Sequence, residues 1–154
     1  MLLALDIGNT HIVMGCMEGR TIRYLCRMAT NRVTTGAEYA VTMSRLLEFA
    51  HIAPDAIDGS IISSVVPQVT RSLSAAVKML TGVVPLVADN TIRSDLTVRI
   101  DDPATLGSDL LVAAVGALDL YQPPLIIIDM GTATTVTAVD ADGAFRGGAI
   151  IPGV

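Results

Sequence analysis

LALDIGNT, at residues 3–10, is the stretch that decides the fold of this 154-residue chain, because its pattern returns as IIIDMGTA at residues 126–133. In each copy an aliphatic run ends at Asp-x-Gly plus a small polar residue, and a second, β-branched run follows. Both second runs end in a glycine turn, at Gly19 and at Gly143. Each copy therefore predicts a strand, a tight turn and an antiparallel strand.

The two Asp-x-Gly turns are the first candidates for ligand binding. Glycine lets the backbone approach a ligand closely, successive N–H groups can face an anion, and Asp6 or Asp129 can hold a cation or a water. Two such turns facing each other would hold the phosphates of a nucleotide from both sides. The alternative is that both carboxylates only cap turns, where Asp is common. We favour ligand binding because both residues end apolar strands, where ligands collect in α/β folds.

Composition narrows the class of protein. The chain is 51% hydrophobic but only 3% aromatic, and its length suits one full domain. A net charge of −5 and the lack of a Lys/Arg cluster argue against nucleic-acid binding. The sequence has neither a signal peptide nor the about 20 apolar residues of a membrane helix, so we expect a cytoplasmic protein without membrane contact. Cys16 and Cys26 could pair, but we expect reduced core cysteines.

The rest of the sequence alternates strands and helices. We predict strands at 2–7, 11–17, 21–28, 60–64, 83–88 and 96–100, with a bend at Asn90 and Thr91. The predicted helices cover 37–51, 67–79 and 108–120. The apolar residues expected to face the core are Ala40, Met43, Leu47 and Ala50 in the first helix and Leu111, Val115 and Leu118 in the last. The order βββαβαβα predicts an α/β domain of ribonuclease-H-like topology with a mixed sheet over residues 1–121, and residues 122–154 begin a second, incomplete one.

Five segments, in this order, resemble the N-terminal part of the type III pantothenate kinases, a family of the actin and sugar-kinase superfamily with duplicated ribonuclease-H-like domains. They are DIGNT at 6–10, SSVVP at 63–67, DPATLGSD at 102–109, DMGTATT at 129–135 and GGAIIPG at 147–153. The resemblance implies ATP-dependent phosphorylation of pantothenate to 4'-phosphopantothenate, the first step of coenzyme A biosynthesis, by a homodimer. Neither a Walker loop nor a GxGxxG loop occurs, so the Asp-x-Gly turns would hold the phosphates.

The resemblance also assigns roles to individual residues. Asp109 would be the general base, although on sequence alone the better explanation of a carboxylate at a helix start is the helix dipole, and only the resemblance favours catalysis. Asp129 would bind a monovalent cation, K⁺ or NH₄⁺, and Asp6 would be an outer ligand of Mg²⁺, which ATP and water mostly hold. The nucleotide-binding residues would be Asp6, Ile7, Gly8, Asn9, Thr10, His11, Ile12, Val13 and Thr132, and the pantothenate-binding residues Ile100, Gly107, Ser108, Asp109 and Leu110.

Two of these positions depart from the family pattern. Leu110 stands where the family usually has an Arg that binds the pantothenate carboxylate, and Ile100 where it usually has a Tyr. Losing a clamp of this kind typically costs about 2–5 kcal/mol when the partner charge stays buried. Arg93 and Arg99 are candidates to replace it. The departures leave two alternatives to pantothenate phosphorylation: a non-catalytic nucleotide-binding or regulatory homologue, and a kinase of another small hydroxyl compound.

The second copy of the motif lies close to the last residue, Val154, whereas a complete second domain would need about 100 residues or more. The chain is therefore a fragment, a truncated paralogue or half of a split enzyme, and we expect a fragment. We also expect its last three strands to lack a helix over their apolar face, and the 154 residues alone to be inactive.

Overall fold

The chain divides into two units, Met1–Ala88 and Asp89–Val154, in a computed structural model that describes residues 1–88 and 94–153. The domains predicted from sequence, 1–121 and 122–154, do not coincide with these units. Helix Ser108–Leu120 accounts for the difference, because it packs on the two strands that follow it, Leu125–Met130 and Ala133–Val139. The domain boundary after residue 121 stays a prediction.

The first unit is an α/β layer with a mixed sheet, as the sequence predicts. Its strands are β1 (Leu2–Ile7), β2 (His11–Glu18), β3 (Thr21–Ala29), β4 (Gly59–Ser64) and β5 (Leu86–Ala88), and its helices are α1 (Gly36–Phe49) and α2 (Pro67–Thr81). The sheet order is β3-β2-β1-β4-β5. β1–β2 and β2–β3 are antiparallel, whereas β1–β4 and β4–β5 are parallel. β5 begins after Pro85, three residues later than predicted, because proline cannot donate a ladder hydrogen bond.

Both helices share one core with one face of this sheet. Leu3, Leu5 and Ile7 alternate into it from β1, so that Asp6 points to the opposite face. On α1 the predicted Met43 and Leu47 are buried together with Tyr39, and the predicted Ala40 is half-buried and packs against the core. Ala50 is half-buried and follows the last residue of the helix. The side chains that complete the core are Ile12, Met14, Cys16, Ile57, Ile62, Val66, Val69, Leu73, Ala76 and Val77.

The cysteines are free thiols, as the sequence predicts. Cys16 is buried and Cys26 is half-buried on the neighbouring strand. Burial raises the pKa of both thiols, which keeps them in the unreactive protonated form.

The second unit contains α3 (Ser108–Leu120) and the strands β6 (Leu125–Met130), β7 (Ala133–Val139) and β8 (Phe145–Pro152), which form an antiparallel sheet in chain order. The strand predicted at 96–100 is wrong, because only Val98 forms an isolated bridge, to Phe145. The apolar alternation of this segment has another cause: Leu96, Val98 and Ile100 pack against the hydrophobic cluster of the unit. The predicted bend at Asn90 and Thr91 lies outside the described residues.

One face of this second sheet is covered, which corrects the prediction of an uncovered sheet. Leu111 and Ala114 of α3 lie in one cluster with Val139 and Phe145. Val115, predicted on this face, is 40% exposed, and Ala114 is the buried residue in its place. The other face exposes the side chains of Ile126, Ile128 and Met130, to 66%, 59% and 65%. No helix within residues 1–88 and 94–153 has the length and apolarity needed to cross a membrane.

Candidate functional site

The first Asp-x-Gly turn joins β1 to β2 at the carboxyl end of β1. Asp6 is the last residue but one of β1, and its neighbours across the sheet are Val13 on β2 and Ser63 on β4. The amide of Gly8 donates to the carbonyl oxygen of His11 at 2.9 Å and closes the turn. Asp6 and the turn residues 9–11 are exposed, whereas Ile7 and Ile12 are buried in the core and support the turn from below.

The segment after β3 holds this turn in place, which sequence reasoning missed. The amide of Thr30 donates to the carbonyl oxygen of Thr10 at 2.9 Å, and the Thr30 hydroxyl donates to that of Gly8 at 2.7 Å. The guanidinium of Arg32 donates to Oδ1 of Asn9 at 3.2 Å. One feature of the sequence could have indicated these contacts: the polar run Thr30-Asn31-Arg32 directly follows β3, which pairs with the strand that leaves the turn.

The end of β4 brings a serine next to Asp6. Ser63 is directly opposite Asp6 in the parallel β1–β4 pair, and its side chain is only 7% exposed. Within the described residues its hydroxyl has no hydrogen-bond partner. The following residue differs: the Ser64 hydroxyl accepts from the amide of Val66 at 3.0 Å and from the Thr70 hydroxyl at 2.6 Å.

The second Asp-x-Gly turn repeats the first with a shorter loop. Asp129 is the last residue but one of β6 and pairs with Thr135. The amide of Gly131 donates to the carbonyl oxygen of Ala133 at 3.2 Å, two residues on instead of three. Asp129 and Thr132 are both exposed.

Close packing explains why residue 153, at the end of the GGAIIPG segment, is a glycine. A Cβ atom on Gly153 would collide with the carbonyl oxygens of Gly131 and Thr132. The GGAIIPG segment therefore passes directly beside the second turn, and these two carbonyl groups lie near the strand end that carries Asp129.

Asp109 is the second residue of α3, and its half-buried carboxylate folds back toward Gly107. A Cβ atom on Gly107 would collide with Oδ1 of Asp109, so only glycine leaves the carboxylate this position. The preceding turn is held by Asp102, whose carboxylate accepts from the amide of Ala104 at 3.1 Å. Asp109 thus sits at a fixed helix start.

The two positions that depart from the family pattern lie in apolar surroundings. Ile100 and Leu110 are half-buried and pack against the hydrophobic cluster of the second unit. Arg99 pairs with two carboxylates next to the β7–β8 turn, at 3.6 Å from Asp140 and 3.5 Å from Asp142, so its charge is already compensated. Arg93, the other candidate for a replacement clamp, lies outside the described residues.

The predicted site residues fall into two groups, one in each unit. Residues 6–13 belong to the first unit, and the predicted residues of the substrate and cation sites belong to the second. In residues 1–88 and 94–153 no three His, Cys, Asp or Glu side chains come together as a metal site. A bound cation would therefore depend on single carboxylates, supplemented by backbone, water or ligand oxygens.

Solved structures resemble this chain in fold. Component A of (R)-2-hydroxyglutaryl-CoA dehydratase from Acidaminococcus fermentans matches with a TM-score of 0.55 at 15% identity, over 98% of this chain and 47% of that one. At this identity the likeness shows the fold alone, which is that of the actin-like and sugar-kinase ATPases.

Sequence relatives are much closer. Type III pantothenate kinases from Bifidobacterium animalis subsp. lactis and Phenylobacterium zucineum are 40% and 44% identical over this entire chain. The chain spans 61% and 60% of the length of these two relatives. The family profile described as type III pantothenate kinase matches residues 2–154. This chain therefore belongs to the type III pantothenate kinase family.

Proposed function

We propose that this chain provides the nucleotide-binding and substrate-activating residues of a pantothenate kinase, which transfers the terminal phosphoryl group of ATP to the primary hydroxyl of pantothenate. The observation that carries the proposal is the pair of Asp-x-Gly turns, each closed by a hydrogen bond from its glycine amide. Family membership over residues 2–154 supports the same activity.

The first turn would bind the phosphates of ATP through residues 6–13. Phosphoryl transfer depends on positioning and on neutralising phosphate charge rather than on covalent chemistry by the protein. The donor set fits a magnesium–phosphate group, because an exposed carboxylate, Asp6, lies beside the buried hydroxyl of Ser63, which has no hydrogen-bond partner among the described residues. When bound, Mg²⁺ supplies neutralisation of the phosphate oxygens. Thr30 and Arg32 keep the turn in its shape.

Asp109 would act as the general base. Its carboxylate takes the proton of the pantothenate hydroxyl while that oxygen forms a bond to the terminal phosphorus and the bond from phosphorus to the leaving ADP oxygen breaks. Gly107 makes room for the carboxylate, and Asp109 lies in the first turn of α3. Gly107, Ser108, Leu110 and Ile100 would line the pantothenate site.

The second turn would carry two further ligand-binding residues. Thr132 would contact nucleotide phosphate, and Asp129 would bind K⁺ or NH₄⁺ together with backbone carbonyl groups. Such cations bind carbonyl oxygens, and those of Gly131 and Thr132 lie directly beside Gly153. The complete enzyme would be a cytoplasmic homodimer, binding neither nucleic acid nor membrane.

The second candidate is a nucleotide-binding or regulatory homologue without kinase activity. It is favoured by one observation: Ile100 and Leu110 pack into an apolar cluster and offer no partner for the pantothenate carboxylate. This homologue would bind ATP through the first turn but would transfer no phosphate to pantothenate. The third alternative from the sequence, a kinase of another small hydroxyl compound, would retain Asp109 as base and use a different acceptor.

The test is pantothenate-dependent ADP release by the complete natural gene product that contains these residues. We expect Asp109→Asn to lose most of the turnover while its affinity for ATP stays unchanged. Asp119→Asn, at the opposite end of the same helix, is the matched control and should stay within a few-fold of wild type. Turnover of the Asp109→Asn variant within a few-fold of wild type would contradict the assignment of the base.

A further inference from the structure

Ser63 occupies a special position in the first unit. It is the last residue but one of β4 and pairs with Asp6 in the parallel β1–β4 ladder. Directly paired residues of neighbouring strands point to the same face of a sheet. The Ser63 side chain therefore lies on the face of Asp6, opposite the core that Leu5 and Ile7 enter. Ligands of α/β proteins collect outside the carboxyl ends of parallel strands, which is where both residues lie.

The Ser63 hydroxyl is buried and unsatisfied. The side chain is 7% exposed, and the oxygen has no hydrogen-bond partner in the described part of the chain. Native structures leave few buried polar groups in this state, and a catalytic role and an ion that binds there are among the recognised reasons. The neighbouring Ser64 accepts two hydrogen bonds within the fold, so the strand end itself does not prevent pairing.

Ser60 provides an internal comparison. It lies on the same strand, is equally buried, and also lacks a hydrogen-bond partner among the described residues. Its partner in the ladder is Leu3, so its side chain points to the core face at the other end of the strand. No residue of the Asp-x-Gly turn pairs with Ser60. Ser60 is therefore the control for Ser63: it is a buried hydroxyl of the same strand that lies away from the Asp-x-Gly turn.

We infer that Ser63 is a further nucleotide-binding residue, whose hydroxyl donates a hydrogen bond to an oxygen of the magnesium–phosphate group at the first Asp-x-Gly turn. The inference rests on the proposed function. A phosphate and the Asp6 carboxylate are both negatively charged and repel each other. A phosphate bound beside Asp6 therefore needs hydrogen-bond donors as well as a cation. Ser63 supplies such a donor from a dry position, where a hydrogen bond to a charged oxygen is strong.

The experiment compares wild type, Ser63→Ala, Ser63→Cys and Ser60→Ala in the complete natural gene product. Titration calorimetry with ATP and Mg²⁺ gives the affinities, and thermal unfolding without ligand gives the stabilities. We expect both Ser63 variants to bind about tenfold or more weakly, the size of one lost hydrogen bond to a charged group. Ser60→Ala should bind like wild type. Neither alanine variant should lower the Tm, because neither hydroxyl has a hydrogen-bond partner in residues 1–88 and 94–153.

Each outcome separates the two proposals. Equal affinity of wild type and Ser63→Ala would overturn the role of Ser63 and leave the nucleotide site intact. A lower Tm for Ser63→Ala alone would show that this hydroxyl bonds within the protein, which also overturns the inference. A wild-type protein that binds no magnesium nucleotide would overturn both the inference and the proposed function.

Discussion

At the scale of single residues, the position of Asp109 depends on the absence of a side chain two residues earlier. The carboxylate turns back over Gly107, in the space that a Cβ atom would occupy. The backbone at Gly107 is extended, with φ of −64°, so conformational freedom is not the reason for glycine there. The reason is space for the carboxylate.

Gly107→Ala should therefore displace the Asp109 carboxylate. A misplacement of about 1 Å in a reacting group can cost on the order of 100-fold in rate, and we expect a loss of that order in pantothenate-dependent turnover. Gly116→Ala is the matched control in α3, where a Cβ atom would meet open space. It should keep the turnover and raise stability by about 0.5–1 kcal/mol. Wild-type turnover for Gly107→Ala would contradict this account of the glycine.

Asp129 leads to a prediction about monovalent cations. An exposed carboxylate at a strand end, near backbone carbonyl groups, suits a cation that takes oxygen ligands. We expect turnover in potassium or ammonium salts to exceed turnover in sodium salts at equal ionic strength. Asp129→Asn should remove the difference between the salts. Equal rates of the wild-type enzyme in all three salts would count against the site.

At the scale of elements, alternation and turn residues predicted most of the first unit. β1 to β4 and both helices lie within a few residues of their expected bounds, because apolar residues recur there at the strand or helix period. The segment 96–100 shows the limit of this signal. Its alternation reflects packing against a cluster, and alternation alone does not say whether a second strand is available for pairing.

Contacts between distant residues were not predictable in the same way. The Thr30 hydroxyl reaches Gly8 across 22 residues, and the pairing of Arg99 with Asp142 spans 43. Neither contact leaves a local pattern, because each depends on which strands become neighbours. The candidate ligands Asp6, Asp129 and Asp109 were found through motifs. The residues that hold the first turn, and the position of Ser63 beside Asp6, follow only from the way the strands pair.

The start of α1 gives a prediction about pH. The Thr35 amide and hydroxyl donate to Oε2 of Glu38 at 2.7 and 2.8 Å, and these bonds lower the pKa of Glu38 from its usual 4.5. A carboxyl with a lowered pKa in the folded state stabilises the fold above its ordinary pKa. This contribution is lost as the pH falls through the lowered value.

Thr35→Val should therefore raise the pKa of Glu38 part of the way back, since the amide donor remains. Carbon-13 NMR titration of the carboxyl groups measures this directly. Asp58, whose pKa is lowered by its hydrogen bond to the N-terminal ammonium, is the internal control and should titrate equally in both proteins. An unchanged Glu38 titration would contradict the capping geometry.

At the scale of the whole molecule, the second sheet exposes a row of large apolar side chains. Ile126, Ile128 and Met130 all lie on its uncovered face. Exposed apolar patches of this kind favour association. We expect residues 1–154, prepared alone, to self-associate in sedimentation experiments and to show no pantothenate-dependent turnover. Ile128→Lys should reduce the association. A monomeric 1–154 chain with full activity would contradict the need for further residues.

Phosphorus NMR shows directly whether the two Asp-x-Gly turns and Asp109 serve phosphoryl transfer to pantothenate. The complete gene product is incubated with ATP, Mg²⁺, K⁺ and pantothenate, and the spectrum is followed over time. We expect a new phosphomonoester signal that grows with ADP, needs pantothenate, and is lost in Asp109→Asn. A protein that binds ATP but yields no phosphomonoester from pantothenate would contradict the account.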